Sequence, residues 1–499
     1  LKPAEKPDFQ PPLKILAISS FVIVWLGCFV VFLVRVFRTF SFHVPWLITT
    51  SGFEEEALFS LWKFTQGQVV YSDPRQIPFS ASYFNWGFYF LYGSLAKLFL
   101  GLLHLPSVWL PMICRLTSLS MGLTVPALFF LILKEIGNTW RYWSFPLLLL
   151  WCLIPIINPI CGLWIMTARP DIAALVFEMI GLFLGLRYLK NESLFTIIWA
   201  AIIFYAAFSF KQNNVSALGG VALTLLLLRK WPAFGILCSL WLILVLGTLA
   251  IGGSNFRYDI LLSQAHCKFS PSNALGYSID AIKSDGLLPL ALIFIAYMAI
   301  KNPRASIFEP RELMLLLVTL IGVALAVAGL FKTGAATNYF MPAATWSALW
   351  LVLWAGRIPP RVLYVGLILS SFVVLLKLEV IVFKRSEDLR AMHAPMEKLS
   401  ERLASLPGPT FVVFRFGNLP WIQPHPPYFV RAYSYEMDEE AGVPHEAGGW
   451  EGLIIRGYFN TVVSTPLEES KMRPYLTNYE LILDENGYEI YRRKASEIR

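Results

Sequence analysis

Apolar runs of near membrane-spanning length recur along most of this chain, and that repetition limits what it can fold into. They lie near residues 15–35, 108–133, 143–163, 172–186, 194–210, 214–228, 232–252, 287–300, 313–331, 339–355 and 362–381. A helix needs about 20 residues to cross the hydrocarbon, so the shorter runs borrow flanking residues or tilt less. Hydrocarbon offers no partner to a bare N–H or C=O, so such runs must be helices. Composition agrees. Hydrophobic residues make up 56% of the 499 and charged residues 15%, against about 45–50% and 25% in soluble domains. A water-soluble globule cannot cover its surface with so few charges. The net charge of +8 would suggest nucleic acid in a soluble protein. Here it fits basic cytoplasmic loops, and no nucleic-acid partner is expected.

The basic residues predict a topology. With the N-terminus inside and the aromatic-rich run 84–104 making no net crossing, the inner connections hold fourteen Lys and Arg. The outer connections after the second span hold six: Arg169, Lys211, Arg257, Lys268, Lys283 and Lys332. That bias obeys the positive-inside rule, although Arg38 beside the first span runs against it. Letting 84–104 cross would reverse the bias. About eleven transmembrane helices follow, with the C-terminus outside. The first span precedes Arg38, lacks a small-residue cleavage pattern and is expected to be retained.

The expected fold class is an all-α polytopic membrane bundle with a small C-terminal α/β extracytoplasmic domain. Residues 1–385 form the transmembrane part, with a long first outer loop at 36–107, and 386–499 form the outer domain. In the latter, Phe411–Phe416 reads as a buried strand. Tyr479–Asp484 and Tyr488–Arg492 flank Glu485-Asn486-Gly487, a strong hairpin signal. The six cysteines show no CxxC spacing and read as small core residues.

Four polar motifs interrupt the apolar pattern, all on the outer side. Glu54-Glu55-Glu56 opens a helical stripe over 54–66. One or two of these glutamates can face a cavity while the third faces water, or all three complement the helix dipole. Thr167-Ala168-Arg169-Pro170-Asp171 precedes a span. Asp171 suits a helix start, which leaves Arg169 unexplained. Lys211-Gln212-Asn213-Asn214 lies between two spans and reads as a plain loop or as an anion site. Lys332 to Phe340, containing Gly334, Asn338 and Tyr339, reads as a polar turn or a close approach to a ligand. Glu178, inside a span, reads as a packed, paired group. The six histidines are scattered. No HExxH, GxSxG, P-loop or GxGxxG signature is present.

Taken in order, the acidic triplet, Gly67–Pro74, the aromatic segment Tyr83–Tyr92, Arg115 leading a span, Ala168-Arg169-Pro170-Asp171, Lys211-Gln212 and Asn338-Tyr339-Phe340 resemble a known family. It is the bacterial GT-C-type integral-membrane glycosyltransferases that use polyprenyl-phosphate sugars, similar to protein mannosyltransferases and aminoarabinose transferases. The resemblance implies an inner-membrane enzyme that moves a lipid-linked sugar to an acceptor at the outer face, with inversion. It implies Glu54 or Glu55 as general base, and Arg169, Lys211 and Lys332 at the donor phosphate. Asp171, Gln212, Asn338 and Tyr339 would line the substrate. The partners implied are the polyprenyl-phosphate sugar and membrane lipid, with further membrane proteins possible. No cofactor or metal ligand is identified, although a carboxylate-rich loop permits a divalent cation. The family's acidic position is most often Asp, and all three residues here are Glu. Two alternatives follow: a catalytically silent GT-C-like subunit of a larger complex, or a lipid or ion transporter. The transporter is disfavoured because the charges sit in loops and not at the bilayer midplane.

Overall fold

The computed structural model describes residues 11–41, 52–137, 142–301, 309–382, 396–413, 417–429, 433–465, 472–485 and 487–495. Each of the eleven apolar runs falls on a helix: Pro11–Phe40, Leu110–Ile136, Phe145–Ile157, Asp171–Asn191, Leu194–Phe210, Ser216–Leu227, Trp231–Ile251, Leu287–Lys301, Pro310–Leu330, Met341–Trp354 and Pro360–Val382. Among the described residues five helices are long and apolar enough to cross a membrane, and the chain is an integral membrane protein. The run expected at 143–163 is helical only to Ile157, because Asn158 turns extended (ψ 135°). A short turn, Cys161–Trp164, follows and carries Trp164 toward the site.

Local chemistry sets several ends. Pro310 opens its helix inside a capping box of Glu309 and Glu312, which satisfies donors that the first turn leaves over. Glu178, on the Asp171–Asn191 helix, accepts hydrogen bonds from Ser216 Oγ (3.0 Å), Ala217 N (2.9 Å) and Asn214 Nδ2 (3.3 Å). A carboxylate from one helix thus caps the positive end of its neighbour.

The connections sort into two groups by contact. At one end Lys190 pairs with Glu135 (3.7 Å), Lys230 with Glu192 (2.6 Å) and Arg357 with Glu312 (2.7 Å). Arg311 donates to the carbonyl of Glu135 (2.9 Å). These are the connections with the basic excess. At the other end Ala168 N donates to Glu54 (3.0 Å), Asn85 Nδ2 to the Phe208 carbonyl (3.0 Å) and Thr333 N to the Lys268 carbonyl (3.0 Å). The run 84–104 becomes the helix Trp86–Leu102, packed beside the helix Gly52–Thr65.

Residues 396–495 carry a four-stranded sheet in the order β1-β2-β4-β3, with β1 Thr410–Val412, β2 Thr461–Ser464, β3 Tyr479–Glu485 and β4 Tyr488–Arg493. β1 and β2 are parallel, and the other pairs antiparallel. β3 and β4 form the expected hairpin. Gly487 takes φ 78° in its turn, the left-handed region glycine favours, while Asn486 lies outside the described residues, as does the end of the expected strand 411–416. Strand alternation sends Phe411, Val462 and Tyr491 to one face, against Trp450 and Phe459. Val412, Val463 and Ile490 go to the other, in one apolar cluster with Leu58, Phe88 and Leu403. The sheet therefore buries one face against the first outer loop. None of the cysteines forms a disulfide; Cys28, Cys114, Cys152 and Cys161 are buried.

Candidate functional site

Three of the four polar motifs meet on one carboxylate. Asp171 is the first residue of its helix. Its Oδ1 accepts from Lys211 Nζ (2.5 Å) and Asn338 Nδ2 (2.6 Å), and its Oδ2 from Arg169 Nε (3.2 Å). Asp171, Lys211, Arg169 and Asn338 are all buried. The preceding helix ends at Phe210 and Lys211 turns extended, which aims its side chain back at Asp171. A 3-10 turn, Thr337–Phe340, carries Asn338 to the same carboxylate. The Lys211 ammonium lies 4.8 Å above the Tyr339 ring, and the Arg169 guanidinium 4.7 Å from Trp164 and 5.7 Å from Phe84. Aromatic faces add attraction for both cations. The ring of Tyr339 packs where Gly329 has no side chain; a Cβ there would meet Tyr339 Cδ1 at 2.3 Å.

Beside this cluster opens a cavity of about 850 Å³. Arg169, Lys211 and Lys332 line it, with Gln212, Asn338 and Tyr339. Lys332 does not reach Asp171; its backbone is held by Asn273 Nδ2, which donates to the Lys332 carbonyl (2.9 Å). Gln212 Nε2 donates to the carbonyls of Ile260 (3.4 Å) and Tyr83 (3.5 Å), tying the segment after the Trp231–Ile251 helix to the first loop. Among the described residues, no Asp or Glu lines the cavity.

The acidic triplet lies behind this wall. All three glutamates are buried, which corrects the expectation that one faces water. The Trp86–Leu102 helix and the C-terminal segment pack over their helix, which is buried all round from Glu54 to Leu61. Glu54 Oε1 pairs with Arg115 Nε (3.2 Å) and accepts from Ala168 N (3.0 Å). Glu54 thereby braces the loop that carries Arg169. Glu56 Oε1 accepts from Ser434 N and Oγ (both 3.3 Å), and burial raises its pKa well above the carboxylate range. Neither Glu54 nor Glu55 is among the residues lining the cavity.

Among the buried titratable groups not singled out from sequence, two lie near the triplet. Asp259 Oδ2 accepts from Ser82 N (2.9 Å), and burial pushes its pKa up to about 8. Lys63 Nζ donates to the Val70 carbonyl (2.8 Å) and to Ser72 and Ser80 (3.2 and 3.3 Å). Burial lowers its pKa to about 8, with Asp259 opposing. The available signal was a charge on an otherwise apolar stripe, which also describes a surface residue. Among the described residues no group of three or more His, Cys, Asp or Glu is placed to hold a metal ion. The triplet does not fit a shared cation either, since Glu54 is committed to Arg115 and Glu56 to Ser434.

No family model and no curated protein matches this chain. Solved structures do. ArnT from Cupriavidus metallidurans bound to undecaprenyl phosphate superposes with a TM-score of 0.60 at 12% identity, covering 97% of this chain and 98% of that one. ArnT from the same organism in the apo state gives 0.57 at 12% identity, with the same coverage. The chain has the fold of a GT-C-type membrane glycosyltransferase. At this identity the likeness is one of fold, and it runs through both the helical bundle and the C-terminal segment.

Proposed function

We propose that this protein is a membrane glycosyltransferase that takes its sugar from a polyprenyl-phosphate-linked donor at the outer face of the bacterial cytoplasmic membrane. One observation carries the reading: Arg169 and Lys211 line the cavity while sharing the single buried carboxylate of Asp171. Two cations against one anion leave one net positive charge, which matches the single negative charge of a phosphodiester. The match to a structure whose description names undecaprenyl phosphate supports the lipid class.

In this reading the acceptor hydroxyl attacks the anomeric carbon and the bond from that carbon to the phosphate oxygen breaks, inverting the centre. Arg169 and Lys211 stabilise the charge that grows on the departing lipid phosphate. The hydroxyl proton goes to a carboxylate of the acidic triplet, a transfer that requires the wall between the triplet and the cavity to open, since neither Glu54 nor Glu55 lines the cavity. Glu54 already serves Arg115 and the Ala168 amide, so Glu55→Gln is the variant that tests base chemistry without removing that brace. The two groups of connections support eleven crossings with residues 386–499 as an extracytoplasmic domain. The ends of Trp86–Leu102 lead from Asn85, bonded to Phe208, to Arg115, bonded to Glu54, which supports a helix that does not cross.

The test is native mass spectrometry of the purified protein in detergent. Undecaprenyl phosphate should bind and undecaprenol should not. Lys211→Met should weaken the phosphate lipid about 10–150-fold, the worth of one charge-assisted contact. Equal weakening of both lipids, or of neither, would make Lys211 a boundary lysine. Glu55→Gln should leave lipid binding intact and slow transfer about 10²–10⁴-fold.

A second reading has its own observation. No carboxylate among the described residues lines the cavity, as suits a subunit that holds the lipid phosphate without transferring a sugar. Lipid binding with no transfer to any acceptor, and no effect of Glu55→Gln on function in cells, would favour it.

A further inference from the structure

We propose that this cavity selects a lipid-phosphate-linked sugar that is neutral or acidic and rejects one bearing a protonated amine, with Lys332 as the residue that reads the sugar's charge. The inference rests on the lipid-phosphate reading and concerns the group beyond the phosphate. Neutral oxygens can accept from an ammonium, but its charge is balanced only by a carboxylate or by an aromatic face not already taken by a cation. Here the wall offers neither kind of relief at its basic end. Asp171 is buried beneath Lys211, Arg169 and Asn338, Tyr339 lies under Lys211, and Trp164 and Phe84 lie under Arg169. The nearby Glu56 and Asp259 carry no charge into the cavity: neither lines it, and burial raises the pKa of both.

The cations, by contrast, exceed their partners. Asp171 and one phosphodiester charge balance Arg169 and Lys211. Lys332 is a third cation on the same wall, and it has no ion-pair partner among the described residues. Its backbone is fixed, since Asn273 Nδ2 holds the carbonyls of Leu330 and Lys332 (2.8 and 2.9 Å). The stem of this cation thus starts from a fixed point on the wall. Residues of the same cavity wall hold spare acceptors. Gln212 Oε1, Asn213 Oδ1 and Thr333 Oγ1 are buried atoms with no hydrogen-bond partner, and all three residues line the cavity. Sugar hydroxyls are donors that would satisfy them without adding positive charge. Hydroxyls for the acceptors and a carboxylate for Lys332 describe a hexose or a hexuronic acid.

The test compares undecaprenyl phosphate with three conjugates that differ only at C6 of the sugar: glucose, glucuronic acid and 6-amino-6-deoxyglucose. Binding to the intact protein is read by native mass spectrometry. The expected order is glucuronic acid, then glucose, then the amino sugar, with about tenfold between the extremes or more, because unscreened like charges repel strongly in such a site. Lys332→Gln should bring the glucuronic and neutral conjugates to within about twofold of each other, and Lys332→Arg should restore the order. If undecaprenyl phosphate binds but the amino conjugate binds as tightly as the glucose conjugate, this inference is overturned. An unchanged order in Lys332→Gln removes Lys332 from it. If undecaprenyl phosphate itself fails to bind, the lipid-phosphate reading falls, and this inference with it.

Discussion

Asp171 shows how a single side chain answers a question that sequence leaves open. As the first residue of a helix it suits the positive end of the dipole, and that explanation is complete without any neighbour. In the fold the carboxylate also serves Lys211, Arg169 and Asn338. Removing it strands two buried cations. Asp171→Ala should cost about 3–5 kcal/mol, read as a lower unfolding temperature in detergent, and adding Lys211→Met should recover part of the loss. A double variant no more stable than Asp171→Ala would show that the pair is not coupled. Glu54 poses a similar question. Glu54→Gln keeps an acceptor for the Ala168 amide but leaves Arg115, 2% exposed, without its counter-ion. A loss of about 3 kcal/mol is expected, and less than additive loss with Arg115→Met. Unchanged stability with lost transfer would return Glu54 to the chemistry.

At the scale of elements, the first outer loop is held by groups whose charge depends on pH. Asp259 has its pKa raised to about 8. Its contribution is full below the ordinary carboxylate range and is lost as pH rises through 8. Glu56, also raised, acts in the same direction. Lys63 has its pKa lowered to about 8. Its contribution is present above the ordinary lysine value and is lost as pH falls through 8. The two limbs meet, so the loop that these groups hold should be least stable near pH 8. Hydrogen exchange at the Ser82 amide, corrected for intrinsic rate, should report a maximum of opening there. Asp259→Asn should shrink the acid limb and carry the alkaline one to lower pH, because the Asp259 charge holds the Lys63 pKa up; an unaltered acid limb would exclude Asp259 as its source.

For the whole molecule, the two groups of connections predict which side each part occupies. In a Cys238→Ser, Cys267→Ser background, a cysteine at Ala495 should react with an impermeant thiol reagent in intact cells. One at Lys190, 64% exposed, should react only after lysis. The reverse pattern would invert the topology, and labelling of both in intact cells would break it.

The eleven helices were legible because a membrane span must satisfy its own backbone, so apolar length alone encodes it. The hairpin at 479–493 was legible because Asn-Gly and alternating apolar residues act locally. The polar motifs were visible as interruptions of apolar runs. What each one does was not, because partners such as Glu54 and Arg115, or Lys211 and Asp171, lie tens of residues apart. Burial of all three glutamates also came from outside their own segment, when the C-terminal sheet and the Trp86–Leu102 helix closed over them. Sequence by itself determined where the apolar helices lie, a matter of side-chain transfer along one segment. Tertiary structure alone decided which charges neutralise one another and which, like Lys332, remain facing the cavity, since a charge acquires its energy from neighbours that only folding supplies.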